Sequence, residues 1–471
     1  MIVSGDLAAA ITASEWAEFF RAGASDLFLW LVLLGYVVID YLVWHRTVRH
    51  SSVASETSSV QRRWRLLRGR NWLAFVQIPG LIGLAILGWL GLTTRDPGVG
   101  NMVTGLLWVI WWPALVFLLL LLGRGWCLVC PFGAISDLIQ RFRQPVRQWP
   151  QRLRNHWIQT GLFVFLTWGL GYFDIFSSHV TTSWLLVAMA AASGLIGVFF
   201  VGRAFCRYLC PIGGMIGLYS LAAPYRLEVG CSKVPCTFSR ECGRACARQE
   251  LDLQLSHYDV GASLLQHPRR LDGAVQAFGL VGVTLMQTLI MTSAWQELLP
   301  KLAPLSAAIL DALLYVALAV GVPMATAMIV AIVISPSSRD KSRDSKSLPL
   351  KHAMILMGYA LLPVAIGFHG GHNLGHLLSE GPRVFGLRGP ILKNNPAFVI
   401  QLLFGLGGMA SSLYMFRVLT QPLDNQARGS RASFIFNTLL PLAATLAGVT
   451  ILGLPMGDRL ASASVLFRLP A

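Results

Sequence analysis

The sequence predicts an all-α integral membrane protein with about ten transmembrane helices. Composition is the first reason. Of 471 residues, 55% are hydrophobic and 13% charged, whereas soluble chains carry about a quarter charged residues. The second is length. Apolar runs fall at about 26–44, 72–92, 103–122, 157–176, 184–201, 273–294, 304–334, 352–377, 396–418 and 432–453, and a helical crossing takes about 20 residues. The third is charge. Every second loop is rich in Arg and Lys, from Arg46–Arg70 through Arg124–Arg154, Arg203–Arg270 and Arg339–Lys351 to Arg428 and Arg431. The positive-inside rule places those loops in the cytoplasm and both termini outside. The loop at 378–395, with Arg383, Arg388 and Lys393, breaks the alternation. A net charge of +16 therefore reads as topology and not as nucleic-acid binding.

The elements follow in order. Residues 1–25 form an extracytoplasmic segment in which Thr12 to Glu15 resembles a capping box before Trp16, Phe19 and Phe20. Residues 26–201 are the first transmembrane block, and 202–272 the one sizeable water-facing segment. Helices at 273–334 include an overlong run that Pro323 is expected to kink. A Ser-rich charged linker at 335–351 precedes the C-terminal block, 352–471.

One pattern occurs twice, each time where an apolar run gives way to a basic segment: GRGWCLVCPFG at 123–133 and GRAFCRYLCPIG at 202–213. Close thiolate pairs bind a single metal centre from one turn of chain. Zinc uses such pairs, but a ferredoxin cysteine run ends in Cys-Pro. Beyond Cys127, Cys130, Cys206 and Cys210 come Cys231, Cys236, Cys242 and Cys246, a loosened ferredoxin run with Ala247 in place of the final Pro. All eight fall on the predicted cytoplasmic side, so the fold carries a small cytoplasmic Cys-rich iron–sulfur segment. Eight thiolates suffice for one or two 4Fe–4S clusters, and the pairing stays open. The membrane-edge pairs either share clusters with the later quartet or make one between them. Arg124, Arg203, Arg207, Arg240, Arg244 and Arg248 crowd the cysteines. They hold the loops inside, favour an anionic cluster, or do both. Trp126 and Phe205 shield the centres or anchor the membrane edge.

The other unusual stretch is 358–377. His369, His372 and His376 share one helical face, beyond Pro363 and at the outer end of the span. Ionisable residues inside a span are costly and are usually functional. Haem b or copper is the candidate ligand, with Gly370, Gly371 and Gly375 admitting a flat macrocycle or another helix. The plain alternative is interhelical hydrogen bonding. His179, with Asp174, is a further candidate ligand in an outer loop. The hydrocarbon layer, about 30 Å thick, is too wide for one efficient electron hop, so a relay group near the histidines would connect the two sides.

The paired Gly-Arg-x-aromatic-Cys…Cys-Pro motifs resemble the membrane polyferredoxins of the NosR/NapH type, which include ferredoxin-like maturation proteins of cytochrome oxidase. The likeness covers about residues 70–250. It implies Cys127, Cys130, Cys206 and Cys210 as ligands of cytoplasmic-side 4Fe–4S clusters and electron exchange with quinol or periplasmic partners. Two departures stand out. Cys127 and Cys130 are separated by two residues where the family has three, and the later quartet has odd spacing. The expectation is a membrane-anchored iron–sulfur electron-transfer protein of the bacterial inner membrane, whose partners are the bilayer and a quinol or periplasmic redox protein. The alternatives are a copper or other metal transport or assembly factor using the histidine face, and a zinc-stapled scaffold. Nothing in the chain resembles a phosphate loop, a hydrolytic triad or a dinucleotide fingerprint.

Overall fold

A computed structural model describes residues 60–69, 72–143, 145, 147–231, 251–258, 269–290, 308–334, 350–385 and 394–424. Among these, five helices are long and apolar enough to cross a membrane: Trp72–Thr93, Gly100–Arg143, His179–Phe199, Ala312–Ile329 and Leu350–Leu378. They coincide with five of the expected runs. Those at 157–176, 273–294 and 396–418 also contain helices, while 26–44 and 432–453 lie outside the described residues.

The elements in chain order are β1 (Val60–Gly69), α1 (Trp72–Thr93), α2 (Pro97–Thr104), α3 (Trp112–Leu122), α4 (Trp126–Val129), α5 (Pro131–Arg143), α6 (Trp157–Tyr172), α7 (His179–Phe199) and α8 (Pro211–Ala222). Then come β2 (Tyr225–Cys231), β3 (Leu251–Tyr258), α9 (Leu271–Leu289), α10 (Ala308–Val316), α11 (Val322–Ile334), α12 (Leu350–Ala360), α13 (Leu362–Val384) and α14 (Asn394–Asp424).

Three π-helical turns interrupt the helices, at Gly105–Trp111, Phe205–Leu209 and Ala317–Gly321. Each ends two positions before a proline: Pro113, Pro211 and Pro323. Proline has no N–H and its ring presses on the carbonyl four residues back. Widening the preceding turn relieves that pressure. The disturbance expected at Pro323 takes this form. Pro363 instead sits in the first turn of α13 and marks a break after α12.

The fold is predominantly helical as expected, with one addition that the sequence reading did not anticipate. A three-stranded antiparallel sheet runs in the order β1-β3-β2. Trp64 of β1 and Leu227 of β2 both pair with Leu255 of β3. The sheet joins the basic stretch before the first described span to the segment after the second Cys-Pro turn.

The core forms where α8, α9, α12 and α13 meet, around Tyr219, Phe278, Met357, Tyr359 and Leu362. Every residue from Asp272 to Thr284 of α9 is buried, which marks a central helix. Helices approach closely where small residues face each other. A side chain at Gly282 would collide with the Ala319 carbonyl. On the α5–α7 seam, Ser193 donates to the Phe132 carbonyl at 2.6 Å, and the Ser136 and Ser193 hydroxyls lie 3.1 Å apart. Such seams suit apolar surroundings, where packing and interhelical hydrogen bonds replace the hydrophobic effect.

Candidate metal centre

Each Cys-Pro motif folds into the same short device. A glycine with positive φ opens it: Gly123 (φ 57°) and Gly202 (φ 73°). A turn follows, and the second cysteine takes the extended ψ that a residue before proline prefers. Cys130 has φ −59°, ψ 124°, and Cys210 has φ −58°, ψ 119°. Pro131 and Pro211 then start α5 and α8, the helix position where proline costs nothing. The Cys130 N–H donates to the Trp126 carbonyl at 3.0 Å, and the Cys210 N–H to the Phe205 carbonyl at 2.8 Å. The first is an α turn and the second a π turn. The extra residue between Cys206 and Cys210 is absorbed there, so the unequal spacing leaves the geometry of the second cysteine unchanged.

The second thiol of each pair lies at a helix N-terminus. Cys130 accepts from the N–H groups of Gly133 and Phe132, and Cys210 from those of Gly213 and Ile212. The four thiols lie within electrostatic reach of one another across the two turns. Cys206 is within electrostatic reach of Cys130, Cys210 and Cys127. Burial pushes the Cys206 thiol well above its ordinary value, the neighbouring thiols add to this, and Arg203 opposes it. Burial, reinforced by Cys130, raises Cys210 to about 12. Phe132, Phe205, Leu107 and Leu186 pack around the site.

A shell of polar side chains holds the turns from behind. Arg203, in the second motif, reaches across to the first. It donates to the Cys127 carbonyl and, through Nε (3.1 Å) and Nη2 (2.5 Å), to both carboxylate oxygens of Asp137 on α5. Gln77 of α1 donates to the same carboxylate at 2.7 Å. Burial disfavours the Arg203 charge. The Asp137 hydrogen bonds and carboxylate, with Cys206 and Cys127 nearby, outweigh this and raise its pKa. On the other side, Gln159 of α6 donates to the Cys206 and Cys210 carbonyls at 3.3 and 3.4 Å, and its amide oxygen lies 3.0 Å from His156 Nδ1. Asp272 accepts from the His156 N–H at 2.8 Å and pairs with Arg270 at 3.0 Å.

Sequence reasoning singled out Arg203 but missed Gln77, Asp137, Gln159 and His156. Gln77 and Gln159, polar residues within apolar runs, were a readable signal. Strand β2 completes the surroundings, with Leu227 against Gly125 and Arg226 against Gly123. The side chain of Cys231 and all of Cys236, Cys242 and Cys246 lie outside the described residues, as do Arg240, Arg244 and Arg248.

The three histidines bond to different partners through their Nδ1 atoms. His369 is hydrogen-bonded through Nδ1 to Tyr219 of α8. The Nδ1 of His372 lies 3.4 Å from Thr288 Oγ1 of α9, and that of His376 lies 3.1 Å from Glu380. Among the described residues no three metal-ligating side chains close on one ion. The glycines between them serve helix packing: Gly371 and Gly375 face Gln401 of α14, and Gly370 faces Phe404. His179, at the start of α7, is likewise occupied, its Nδ1 lying 2.8 Å from the Gly91 carbonyl of α1.

The donor set at the cysteines fits an iron–sulfur cluster. It offers four thiols, N–H groups aimed at two of the sulfurs, an apolar enclosure and a cation in contact. Residues 104–150 and 182–223 match the family model described as "4Fe-4S binding domain", each segment containing one Cys-Pro turn. The chain is 27% identical over 235 residues to regulatory protein NosR of Pseudomonas aeruginosa, covering 42% of this chain and 31% of that protein. The chain is similar in this region to NosR-type membrane 4Fe–4S proteins. It is also 25% identical over 262 residues to the putative electron transport protein YccM of Escherichia coli, covering 50% of this chain and 67% of that one. An uncharacterized protein of Methanocaldococcus jannaschii is 28% identical over 142 residues, covering 28% of this chain and 55% of its own length. The chain thus spans about a third of the length of NosR and about half that of the Methanocaldococcus protein. No solved structure matches it. The 4Fe–4S family match ends well before α13, so the histidine helix lies outside it.

Proposed function

We propose that Cys127, Cys130, Cys206 and Cys210 jointly hold one 4Fe–4S cluster, and that the chain passes electrons through it. The observation carrying this is the facing pair of Cys-Pro turns, whose four thiols lie within electrostatic reach of one another. A bound cluster would supply one-electron storage. The chain's residues do the rest. Phe132, Phe205 and Leu186 exclude water. The N–H groups of Phe132, Gly133, Ile212 and Gly213 stabilise sulfur charge. Arg203 offsets the negative charge of the centre and ties the halves together. The N–H groups and Arg203 favour the reduced state of an anionic cluster, and the exclusion of water opposes it.

A second cluster on Cys231, Cys236, Cys242 and Cys246 completes the reading. Its support is the path of β2. Leu227 touches the first motif, and Cys231 stands four residues further along that strand, about 13 Å at strand rise. The cysteines face the cytoplasm of the bacterial inner membrane on the charge pattern of the loops. The donor or acceptor is quinol or a periplasmic redox protein.

Anaerobic purification with iron and acid-labile sulfide determination tests the centre. Brown protein bleached by dithionite, with about four irons per cluster, is the expected result. Colourless protein carrying zinc would overturn it.

A further inference from the structure

We propose that His369, His372, His376 and Glu380 form a proton path linking the buried Tyr219–His369 pair to the protein surface. The four residues follow one face of α13 and climb about 16 Å at helical rise. Exposure grows along them. His369 is 3% exposed and His372 8%, and the side chains of His376 and Glu380 are 21% and 26% exposed.

The steps are short where a proton must pass. His369 is bonded to Tyr219. The His372 and His376 rings lie 4.6 Å apart, edge to face. His376 Nδ1 is 3.1 Å from Glu380 Oε1. Thr284, Gln287 and Thr288 follow one another along α9 beside His369 and His372. Thr288 lies against His372, and a cavity of about 60 Å³ borders Thr284, Gln287 and His369, room enough for water. Imidazole takes a proton on one nitrogen and releases one from the other, which suits it to a shuttle. Helix packing alone asks for hydrogen bonds from such residues. It does not ask for a continuous titratable series ending at a carboxylate.

The inner end of the series lies beside the cysteine site. Tyr219 stands about two and a half turns beyond Cys210 on α8, about 13 Å along the helix. Rings also connect the two places. Trp126, adjacent to Cys127, meets Trp111 at 5.3 Å, Trp111 meets Trp112 at 6.2 Å, and Trp112 meets His369 at 6.2 Å. Groups that face the series from neighbouring helices include Tyr219 of α8, Trp112 of α3, and Gln287 and Thr288 of α9. An electron arriving in a low-dielectric interior is stabilised by an accompanying proton, and this series would deliver one.

The test is hydrogen–deuterium exchange of the Tyr219 hydroxyl, followed by infrared spectroscopy on the full chain in nanodiscs with ring-labelled tyrosine. Tyr219→Phe assigns the band. Glu380→Gln and His376→Gly are expected to slow exchange at least tenfold, with helical circular dichroism unchanged, while Arg383→Gln leaves it alone. Free imidazole should restore the rate in His376→Gly. Equal rates in wild type and both path variants would overturn the proposal. So would a wild-type hydroxyl that fails to exchange, or His376→Gly indifferent to imidazole.

Discussion

Set side by side, the two Cys-Pro turns differ in length and agree where it matters. The first closes with a four-residue hydrogen-bonded step from Cys130 to Trp126, the second with a five-residue step from Cys210 to Phe205. Both deliver the cysteine before proline at nearly the same φ and ψ. The spacing between cysteines is therefore adjustable, while the placement of the second thiol over a helix N-terminus is not. The charge around them is unequal. Asp137 and Gly217 stand at equivalent positions, each seven residues after the second cysteine. Arg203 crosses from the second half to pair with Asp137. Arg124 crosses from the first half and finds Gly217, its guanidinium 3.0 Å from where a Cβ would be. Among the described residues only Arg203 pairs with a carboxylate of the opposite half, so the site is a near-duplicate with a lopsided field.

The largest expected effect tests whether the halves act together. Cys130→Ala and Cys210→Ala should each abolish the same cluster and lower bound iron by about four atoms, measured on anaerobic protein. If each half held its own centre, the double variant would lose more iron than either single.

The metal-free protein should show the cost of burying thiols. Cys206 and Cys210 have raised native pKa values, the latter about 12. Unfolded thiols lose their protons near their ordinary value, and the native ones resist. Stability is thus fully present below about pH 9 and is lost as pH rises toward about 12. Denaturant titrations at both ends of that window would detect the loss. Cluster-loaded protein, its thiolates already ligated, should escape it.

Asp137→Asn sharpens the charge comparison. The pair is about three-quarters buried, so the loss should be about 1–3 kcal/mol in denaturant midpoint terms, discounted for partial screening. Gly217→Ala, on the equivalent surface, should gain up to about 1 kcal/mol, since only a flexible arginine end must yield. Gln159→Leu should cost about 1 kcal/mol, because two of the three bonds it removes are long.

Much of this was legible in the chain. Proline after cysteine fixed both the extended ψ and the helix start, and the spans could be read from apolar length. The histidine face was visible too, but not its partners. Tyr219 and Thr288 come from helices far away in sequence, and nothing in local periodicity joins them to His369 and His372. The sheet was hidden for a related reason. VQRRWRLLRG reads as a basic loop, and only pairing with Leu251–Tyr258 makes it a strand. The Arg203–Asp137 link was obscured because arginines at a membrane edge have a topological reason to be there.

The sheet also sets a schedule for assembly. Cys231 and Leu251 are register partners, so the segment carrying Cys236, Cys242 and Cys246 begins and ends at adjacent points. The strands themselves bring its two ends together. But β3 is held on its other edge by β1, where Gly69 meets Leu251. That edge can form only when chain made early meets chain made much later, a slow kind of contact. Iron delivered before translation has passed residue 258 would find cysteines without their frame.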